Sequence, residues 1–317
     1  MKQRFIYLLL TIVLLTGCSS SSSQPITPTV FVLATETPQP LPPATNTTSP
    51  VISSTEIVPE LTATSTSIPL DPAEWKSWVV IPSLSPEMLA VFARGQALGR
   101  DVHVVSVIGD CESSSDWFLK DFSKDERYYN LGPYADLQET IDFFGPSLGY
   151  RSYAAVRGAT ATTVLTPLWA DPQACESNET PLSCEYRLHN PTFAFIALGT
   201  NDVHKPEQFE PKMREIIDYT LAQGVVPILV TKADNLEGDE SINLTIAKLS
   251  VEYQLPMWNF WAAVQPLPDH GLQDDLSHLT FGSNFFDNPD NLKRAWPIRN
   301  LTALQVLDAM RLEVQEK

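Results

Sequence analysis

The feature that most constrains the fold is an alternation of short apolar segments with longer amphipathic ones. Four segments have the length and the β-branched or aromatic content of buried strands: residues 102–108, 193–198, 225–230 and 257–260. Segments with apolar residues at helical spacing lie around and between them: residues 86–98, 134–144, 206–222, 240–253 and 301–314. This alternation predicts an α/β fold, in which helices cover both faces of a central parallel sheet.

Two glycine-containing turns follow the first two predicted strands. Gly109, Asp110 and Cys111 come directly after the first strand, and residues 199–202 (Gly-Thr-Asn-Asp) follow the second. Ligands bind at the carboxyl ends of parallel strands, so both turns are expected at one site. The glycine permits a tight turn that presents Cys111 to a cleft. Alternatively, the Asn-Asp pair of the second turn caps the helix that begins near Pro206.

An Asp–His pair occurs near the C-terminus. Asp275 and His278 are three residues apart and can share one turn, which lets the carboxylate orient the imidazole as a general base. Asp274 is an alternative partner for this histidine. A nucleophile, amide donors and an Asp–His pair spread over one domain favour acyl transfer.

These pieces, with Gly158, resemble the motifs of the SGNH/GDSL hydrolase superfamily, which are G-D-S, a Gly, G-x-N-D and D-x-x-H. The resemblance implies a flavodoxin-like three-layer α/β/α fold with a central parallel sheet, and a carboxylic ester hydrolase activity. It implies that Cys111 is the nucleophile, His278 the general base and Asp275 its orienting partner. The backbone N–H groups of Cys111 and Gly158 and the side-chain amide of Asn201 are then the oxyanion hole.

Cys111 stands where the family has serine. A thiol performs acyl transfer when its pKa is lowered, and His278 and a helix N-terminus are expected to lower it. The flanking Asp110 and Glu112 oppose the thiolate. A serine among residues 113–115 is an alternative nucleophile. The alternative to an esterase is a catalytically inactive module of this fold that binds a glycan or another ligand.

The first 70 residues differ in composition from the rest of the chain. A charged start and an apolar run end at Cys18 in Leu-Thr-Gly-Cys, which resembles a bacterial lipobox. This implies a lipoprotein signal peptide over residues 1–17 and a lipid on Cys18; an ordinary signal peptide or an uncleaved anchor are alternatives. Ser, Thr and Pro make up 30 of residues 19–70, so residues 18–70 are predicted to be a disordered, lipid-anchored linker. The hydrolase-like domain is residues 71–317.

Charge and cysteine content constrain partners and location. Residues 71–317 contain 19 Lys+Arg and 35 Asp+Glu, which argues against nucleic acid and anionic lipid surfaces as partners. The expected location is the extracytoplasmic face of a bacterial membrane, to which the N-terminal lipid alone attaches the chain.

Disulfides are allowed outside the cytoplasm, and Cys175 and Cys184 flank a short loop that is easily closed. The alternative pairs Cys111 with one of them.

The remaining expectations concern ligands. His and Cys residues lack the sequence spacing of metal sites, so we expect no metal and no cofactor. The expected partner is an acylated glycan or a small ester, bound by a monomer.

Residues 167–191, which include Trp169, form a long connection that is expected to form one wall of a cleft. Trp117 is predicted to be a core residue, with a place in a second wall of the cleft as the alternative.

Overall fold

The computed structural model describes residues 70–114 and 116–315. The predicted signal peptide, the predicted lipid site at Cys18 and the predicted linker up to residue 69 lie outside the described residues. Within the described residues, no helix combines the length and the apolar composition that crossing a membrane requires.

A central sheet of four parallel strands is the core of the fold. The strands of the chain are β1 (Asp101–Gly109), β2 (Tyr129–Asn130), β3 (Pro191–Ala197), β4 (Val226–Val230), β5 (Met257–Trp258) and β6 (Asn284–Phe285). The central sheet has the order β1-β3-β4-β5, and β2 and β6 form a separate parallel pair. Every residue of β4 and all but the last of β3 are buried, as expected for strands covered on both faces.

Helices flank this sheet, which confirms the predicted α/β/α class. They are α1 (Pro86–Ala97), α2 (Cys111–Ser114), α3 (Gln138–Phe144), α4 (Pro181–His189), α5 (Pro206–Ala222), α6 (Ser241–Tyr253), α7 (Phe260–Val264) and α8 (Ala295–Gln315). Helices α1, α5 and α6 contact β4, whereas α3 contacts β1 and packs against α8. Helix α1 begins as predicted, with Pro86 in its first turn and the Ser85 hydroxyl accepting a hydrogen bond from the backbone N–H of Met88 at 3.1 Å.

Some predicted elements differ from the structure. The helix predicted over residues 134–144 begins only at Gln138, because the backbone at Tyr134 is not helical and a 3-10 segment, Gly132–Leu137, precedes it. The last helix starts six residues earlier than predicted, at Ala295. The connection expected over residues 167–191 contains α4, whose first turn is fixed by reciprocal hydrogen bonds between Thr180 and Ser183.

Helix α8 is buried around most of its surface and carries a buried cation into the core. The Arg299 guanidinium lies over the rings of Phe118, Trp258 and Phe260, with its central carbon 4.8, 5.3 and 4.8 Å from the three ring centres. Asn300, the next residue, accepts a hydrogen bond from the backbone N–H of Leu119 at 2.9 Å. Helix α8 therefore fixes the position of the segment that follows α2.

Candidate active site

Cys111 lies directly beyond the carboxyl end of β1, as the sequence predicts. It begins α2, and the Asp110 side chain accepts a hydrogen bond from the backbone N–H of Glu112 at 3.1 Å. Gly109 is needed here, because a Cβ at this position would lie 2.7 Å from the carbonyl oxygen of Ala197 on β3. The thiol of Cys111 is free and half-buried. The alternative that pairs it with another cysteine is wrong.

Asp275, and not Asp274, is the carboxylate bonded to His278. Its Oδ2 lies 2.6 Å from the His278 Nδ1, and its Oδ1 accepts hydrogen bonds from the backbone N–H groups of Ser277 and His278 at 3.0 and 2.9 Å. These bonds hold the pKa of Asp275 at about 2, and the bond to the carboxylate raises the pKa of His278. Both side chains are about half exposed. Leu276 between them has φ of 57°, which tightens the turn.

The sulfur of Cys111, a carboxylate oxygen of Glu112 and a ring nitrogen of His278 all lie within 4.8 Å of one another. The structure therefore brings the predicted nucleophile and the predicted base together, although 167 residues separate them in the sequence. Because Nδ1 of His278 is bonded to Asp275, Nε2 is the nitrogen left to receive a proton from the thiol.

The surroundings of Cys111 disfavour its thiolate. Burial raises the pKa of the thiol to about 12, and the neighbouring Asp110 and Glu112 add to the increase. The expected lowering by His278 and a helix N-terminus is therefore wrong: α2 has only four residues, and desolvation and two acids outweigh its N-terminal dipole. At neutral pH the thiol is protonated, so attack on a carbonyl requires a general base.

A buried charge cluster beneath Cys111 has no counterpart in the sequence motifs. Burial raises the pKa of Asp110 to about 7, and the charge of Glu112 adds to this increase. The positive charge of Arg299 partly offsets these increases by lowering the pKa of both acids. Its Nη2 lies 3.4 Å from the Ser113 hydroxyl oxygen. The sequence does not predict this role of Arg299, because no motif surrounds it and only the packing of α8 brings it near the end of β1.

Two of the three predicted oxyanion residues, Gly158 and Asn201, lie near each other beyond the carboxyl ends of β1 and β3. The segment before Gly158 pairs with the end of β1: the Gly109 N–H donates to Ala154 and the Val156 N–H donates to the Gly109 carbonyl, both at 3.1 Å. Gly158 has φ of 76°, a conformation that favours glycine. Asn201 donates from its side-chain amide to the Ala159 carbonyl at 3.2 Å. Its amide keeps a second N–H for another acceptor.

Asn201 and Asp202 are not the cap of α5. That helix begins after Lys205, whose side chain makes no cap bond. Asp202 is instead buried and accepts a hydrogen bond from the Ala161 N–H at 3.0 Å through Oδ1, while its buried Oδ2 has no partner in the described part of the chain. The aspartate thereby fixes the loop that follows Gly158 to the turn that follows β3.

An open cleft of about 1090 Å³ lies at this end of the sheet and includes Cys111, Glu112 and His278 in its wall. Trp169, Trp117 and Phe281 also line it and are 55, 45 and 55 % exposed. The prediction for Trp169 as a wall residue is confirmed. The prediction of Trp117 as a core residue is wrong, because its ring packs against Phe281 at the cleft, with ring centres 5.2 Å apart.

The predicted disulfide is present. Cys175 and Cys184 are bonded, with their Cα atoms 5.3 Å apart. The bond ties the loop before α4 to the first turn of that helix, and Trp169 and residues 170–173 of the same loop line the cleft. Arg187 adds a second tie, through bonds from Nε and Nη2 to the Glu179 carboxylate at 2.6 and 2.8 Å.

No protein-family model matches the chain, and no curated protein matches it. The chain is similar to several solved structures, among them the following three. The chain is 15 % identical to a GDSL-like lipase from Bacteroides thetaiotaomicron, with 70 % of this chain and 97 % of that chain covered and a TM-score of 0.41. It is 14 % identical to a psychrotrophic esterase from Pseudoalteromonas sp., with 65 and 97 % covered and a TM-score of 0.39. It is 15 % identical to an acetyl xylan esterase from Geobacillus stearothermophilus, with 64 and 93 % covered and a TM-score of 0.38. Similarity at this level assigns no activity to this chain.

Proposed function

We propose that this chain is a carboxylic ester hydrolase in which Cys111 is the nucleophile, His278 the general base and Asp275 the residue that orients the base. One observation carries the proposal: the Cys111 sulfur lies within 4.8 Å of a ring nitrogen of His278, whose Nδ1 is bonded to Asp275 at 2.6 Å. Acyl transfer by covalent catalysis uses this arrangement, in which a nucleophile lies beside a general base and a carboxylate orients the base.

The proposed reaction starts from the protonated thiol. His278 Nε2 takes the thiol proton as the sulfur attacks the ester carbonyl, and Asp275 stabilises the imidazolium that forms. The tetrahedral intermediate collapses to a thioester when the imidazolium gives its proton to the departing alcohol. Water, deprotonated by the same imidazole, then attacks the thioester carbonyl and releases the acid and the free thiol. Serine hydrolases also begin from a protonated nucleophile, so the high pKa of Cys111 suits this route.

The proposed substrates are O-acylated glycans or small acyl esters. The cleft supports this choice because it is open and has exposed aromatic side chains at Trp117, Trp169 and Phe281, together with polar residues in its lining. We also propose that the chain acts as a monomer on the extracytoplasmic face of a bacterial membrane, anchored through Cys18. A fatty-acid label that enters the wild-type chain and is lost in Cys18→Ser supports the anchor; equal labelling of both excludes it.

The test of the activity compares variants on ester and thioester probes. Wild-type protein is expected to hydrolyse them, and Cys111→Ala and His278→Ala are each expected to lower kcat by roughly 10³–10⁶. The control is His103→Gln, which alters an exposed histidine near the start of β1, at the far end of that strand from Cys111. Hydrolysis that is equally fast in Cys111→Ala and wild type excludes Cys111 as the nucleophile.

A second candidate is a catalytically inactive module that binds a glycan or another ligand in the same cleft. The exposed aromatic side chains favour it, since Trp and Phe faces supply contact area without any need for a nucleophile. This function predicts saturable binding of a glycan without release of its acyl group, and weaker binding in Trp117→Ala and Trp169→Ala. Release of acetate from an acetylated glycan, lost in Cys111→Ala, excludes it.

A further inference from the structure

Cys111, Glu112 and His278 form a group of three different ligand types at one point of the cleft wall. The sulfur, a carboxylate oxygen and a ring nitrogen lie within 4.8 Å of one another. A tetrahedral zinc ion holds such atoms at about 2.0–2.3 Å from itself, which places them roughly 3.5 Å apart. A shift of about 1 Å therefore converts the group into a three-ligand site. The turn that carries His278 is half exposed, so it has room for this shift.

The second observation is the state of the histidine. A histidine that binds a metal through one nitrogen usually donates the N–H of its other nitrogen to a carboxylate, which fixes the ring. His278 already has this arrangement, since its Nδ1 lies 2.6 Å from the Asp275 Oδ2 and its Nε2 is left for a ligand. Asp275 is in turn held by two backbone N–H groups, so the carboxylate is positioned before any ion binds.

The third observation concerns Glu112. One of its oxygens accepts a long hydrogen bond, 3.4 Å, from the Leu279 N–H, whereas the other oxygen is buried and has no partner among the described residues. A buried carboxylate oxygen without a partner is costly. A divalent cation bound at this point supplies a partner for the Glu112 carboxylate.

We propose that Cys111 Sγ, the Glu112 carboxylate and His278 Nε2 bind a divalent cation of the zinc class, and that the bound ion blocks Cys111 as a nucleophile. Binding releases the thiol proton to solvent and commits the sulfur electron pair to the ion. The cleft leaves a fourth position open for water or a ligand. The inference uses residues of the proposed esterase but does not depend on hydrolysis. Along the sequence these ligands lack metal-site spacing, so only the fold reveals the site.

The test uses Zn²⁺ as the probe and the full chain carrying Cys18→Ser, so that Cys111 is the free thiol. Equilibrium dialysis against a chromophoric chelator is expected to give one ion per chain. Iodoacetamide is expected to alkylate Cys111 slowly with Zn²⁺ and faster after a chelator removes it. Glu112→Gln and His278→Gln are each expected to weaken binding by at least roughly 10- to 100-fold, because loss of an outer-shell partner of a metal ligand already costs this much.

Two controls remove a competing site. Reductants must be absent, because reduced Cys175 and Cys184 with Glu179 would form a second group whose ligand atoms lie within 4.8 Å of one another. The Cys175→Ser/Cys184→Ser variant is expected to bind one Zn²⁺ with unchanged affinity.

Glu112→Gln keeps the size of the side chain and an oxygen for the Leu279 N–H. A circular dichroism melt tests whether each variant is folded.

The outcomes separate this inference from the proposed hydrolysis. Zinc binding that is lost in Cys111→Ser and weakened in Glu112→Gln supports the site, whether or not any ester is hydrolysed. Absence of zinc binding, or equal affinity in wild type, Cys111→Ser and His278→Gln, overturns it. If the chain hydrolyses esters, Zn²⁺ is expected to inhibit wild type and to inhibit Glu112→Gln only at the correspondingly higher concentration. Hydrolysis that is insensitive to saturating Zn²⁺ overturns the blocking role.

Discussion

At the residue scale, Cys111 has the neighbours of a serine nucleophile and not those of an activated thiolate. Its sulfur lies near a histidine that an aspartate orients, but two acids and partial burial keep the proton on the thiol. A cysteine that depends on a base during attack behaves like a serine in this respect. The same acids make the position attractive for a cation, which is why one small group of residues supports both a nucleophile and a metal site.

Asn201 is the residue whose replacement tests the oxyanion hole. Asn201→Ala is expected to lower kcat by roughly 10²–10³ with little change in KM, because a donor aimed at the developing oxyanion acts mainly in the transition state. Steady-state kinetics on an acetyl ester measure this. The folded state is expected to lose only the bond to the Ala159 carbonyl. A rise in KM at constant kcat contradicts the oxyanion role and assigns Asn201 to substrate binding.

Asp202 gives a prediction about pH. Burial raises its pKa from 3.8 to about 6, so the folded state binds a proton more tightly than the unfolded state. Its contribution to stability is therefore greatest below about pH 4 and is lost as pH rises through about 6. The loss is roughly 2–3 kcal/mol at 1.36 kcal/mol for each pKa unit.

The measurement for Asp202 is urea unfolding of wild type and Asp202→Asn between pH 4 and pH 8. Wild type is expected to lose stability relative to the variant as pH rises through about 6, since asparagine does not ionise but keeps an oxygen for the Ala161 N–H. A stability difference between the two proteins that stays constant over this range contradicts the prediction.

At the element scale, the disulfide ties α4 to the loop whose residues 169–173 line the cleft. Cys175 and Cys184 are nine residues apart, and closing a loop of this size stabilises a protein by about 2–3 kcal/mol in the chain-entropy account. The free energy of unfolding of the Cys175→Ser/Cys184→Ser variant, measured by urea denaturation, is expected to be lower by this amount. Its rate of Cys111 alkylation, without added metal, serves as the control and is expected to be unchanged. Equal stability of variant and wild type contradicts the prediction.

Helix α8 contributes a charge as well as apolar surface. Arg299→Met keeps the length of the side chain over Phe118, Trp258 and Phe260 but removes the cation that attracts Asp110 and Glu112. We expect a loss of roughly 1–3 kcal/mol in the free energy of unfolding, because the two buried acids lose an attracting charge and the Ser113 hydroxyl loses its contact with the guanidinium.

The second variant for α8 separates charge from packing. Arg299→Met/Glu112→Gln is expected to recover part of the loss, because it also removes one of the two acids that Arg299 attracts. Denaturant unfolding of the two single variants and the double variant measures this coupling. Strict additivity of the two single changes contradicts an electrostatic role for Arg299.

At the scale of the whole molecule, the sheet topology gathers the site. Cys111 follows β1 and Asn201 follows β3, and these neighbouring parallel strands end at the same edge. The segment before Gly158 pairs with the other side of β1, and the C-terminal turn brings His278 within 4.8 Å of the thiol. The candidate site lies at the carboxyl edge because loops from several strands converge there.

The sequence by itself determined the four strands of the central sheet, the parallel α/β class, and several candidate site residues, but not the short pair β2 and β6. Local patterns suffice for these, because apolar periodicity and the turns after β1 and β3 are properties of adjacent residues. The pairing of Cys175 with Cys184 was also favoured by its short loop. By contrast, α4 and the 3-10 segment before α3 depend on caps and local backbone geometry that periodicity does not show.

The tertiary structure alone decided the chemical state of the site. The burial of Cys111, the place of Arg299 and the contact of Trp117 with Phe281 at the cleft depend on how distant parts of the sequence pack. The group of Cys111, Glu112 and His278 likewise joins residues more than 160 positions apart. Electrostatic and packing energies depend on distance and burial in three dimensions, so no spacing along the chain could have predicted them.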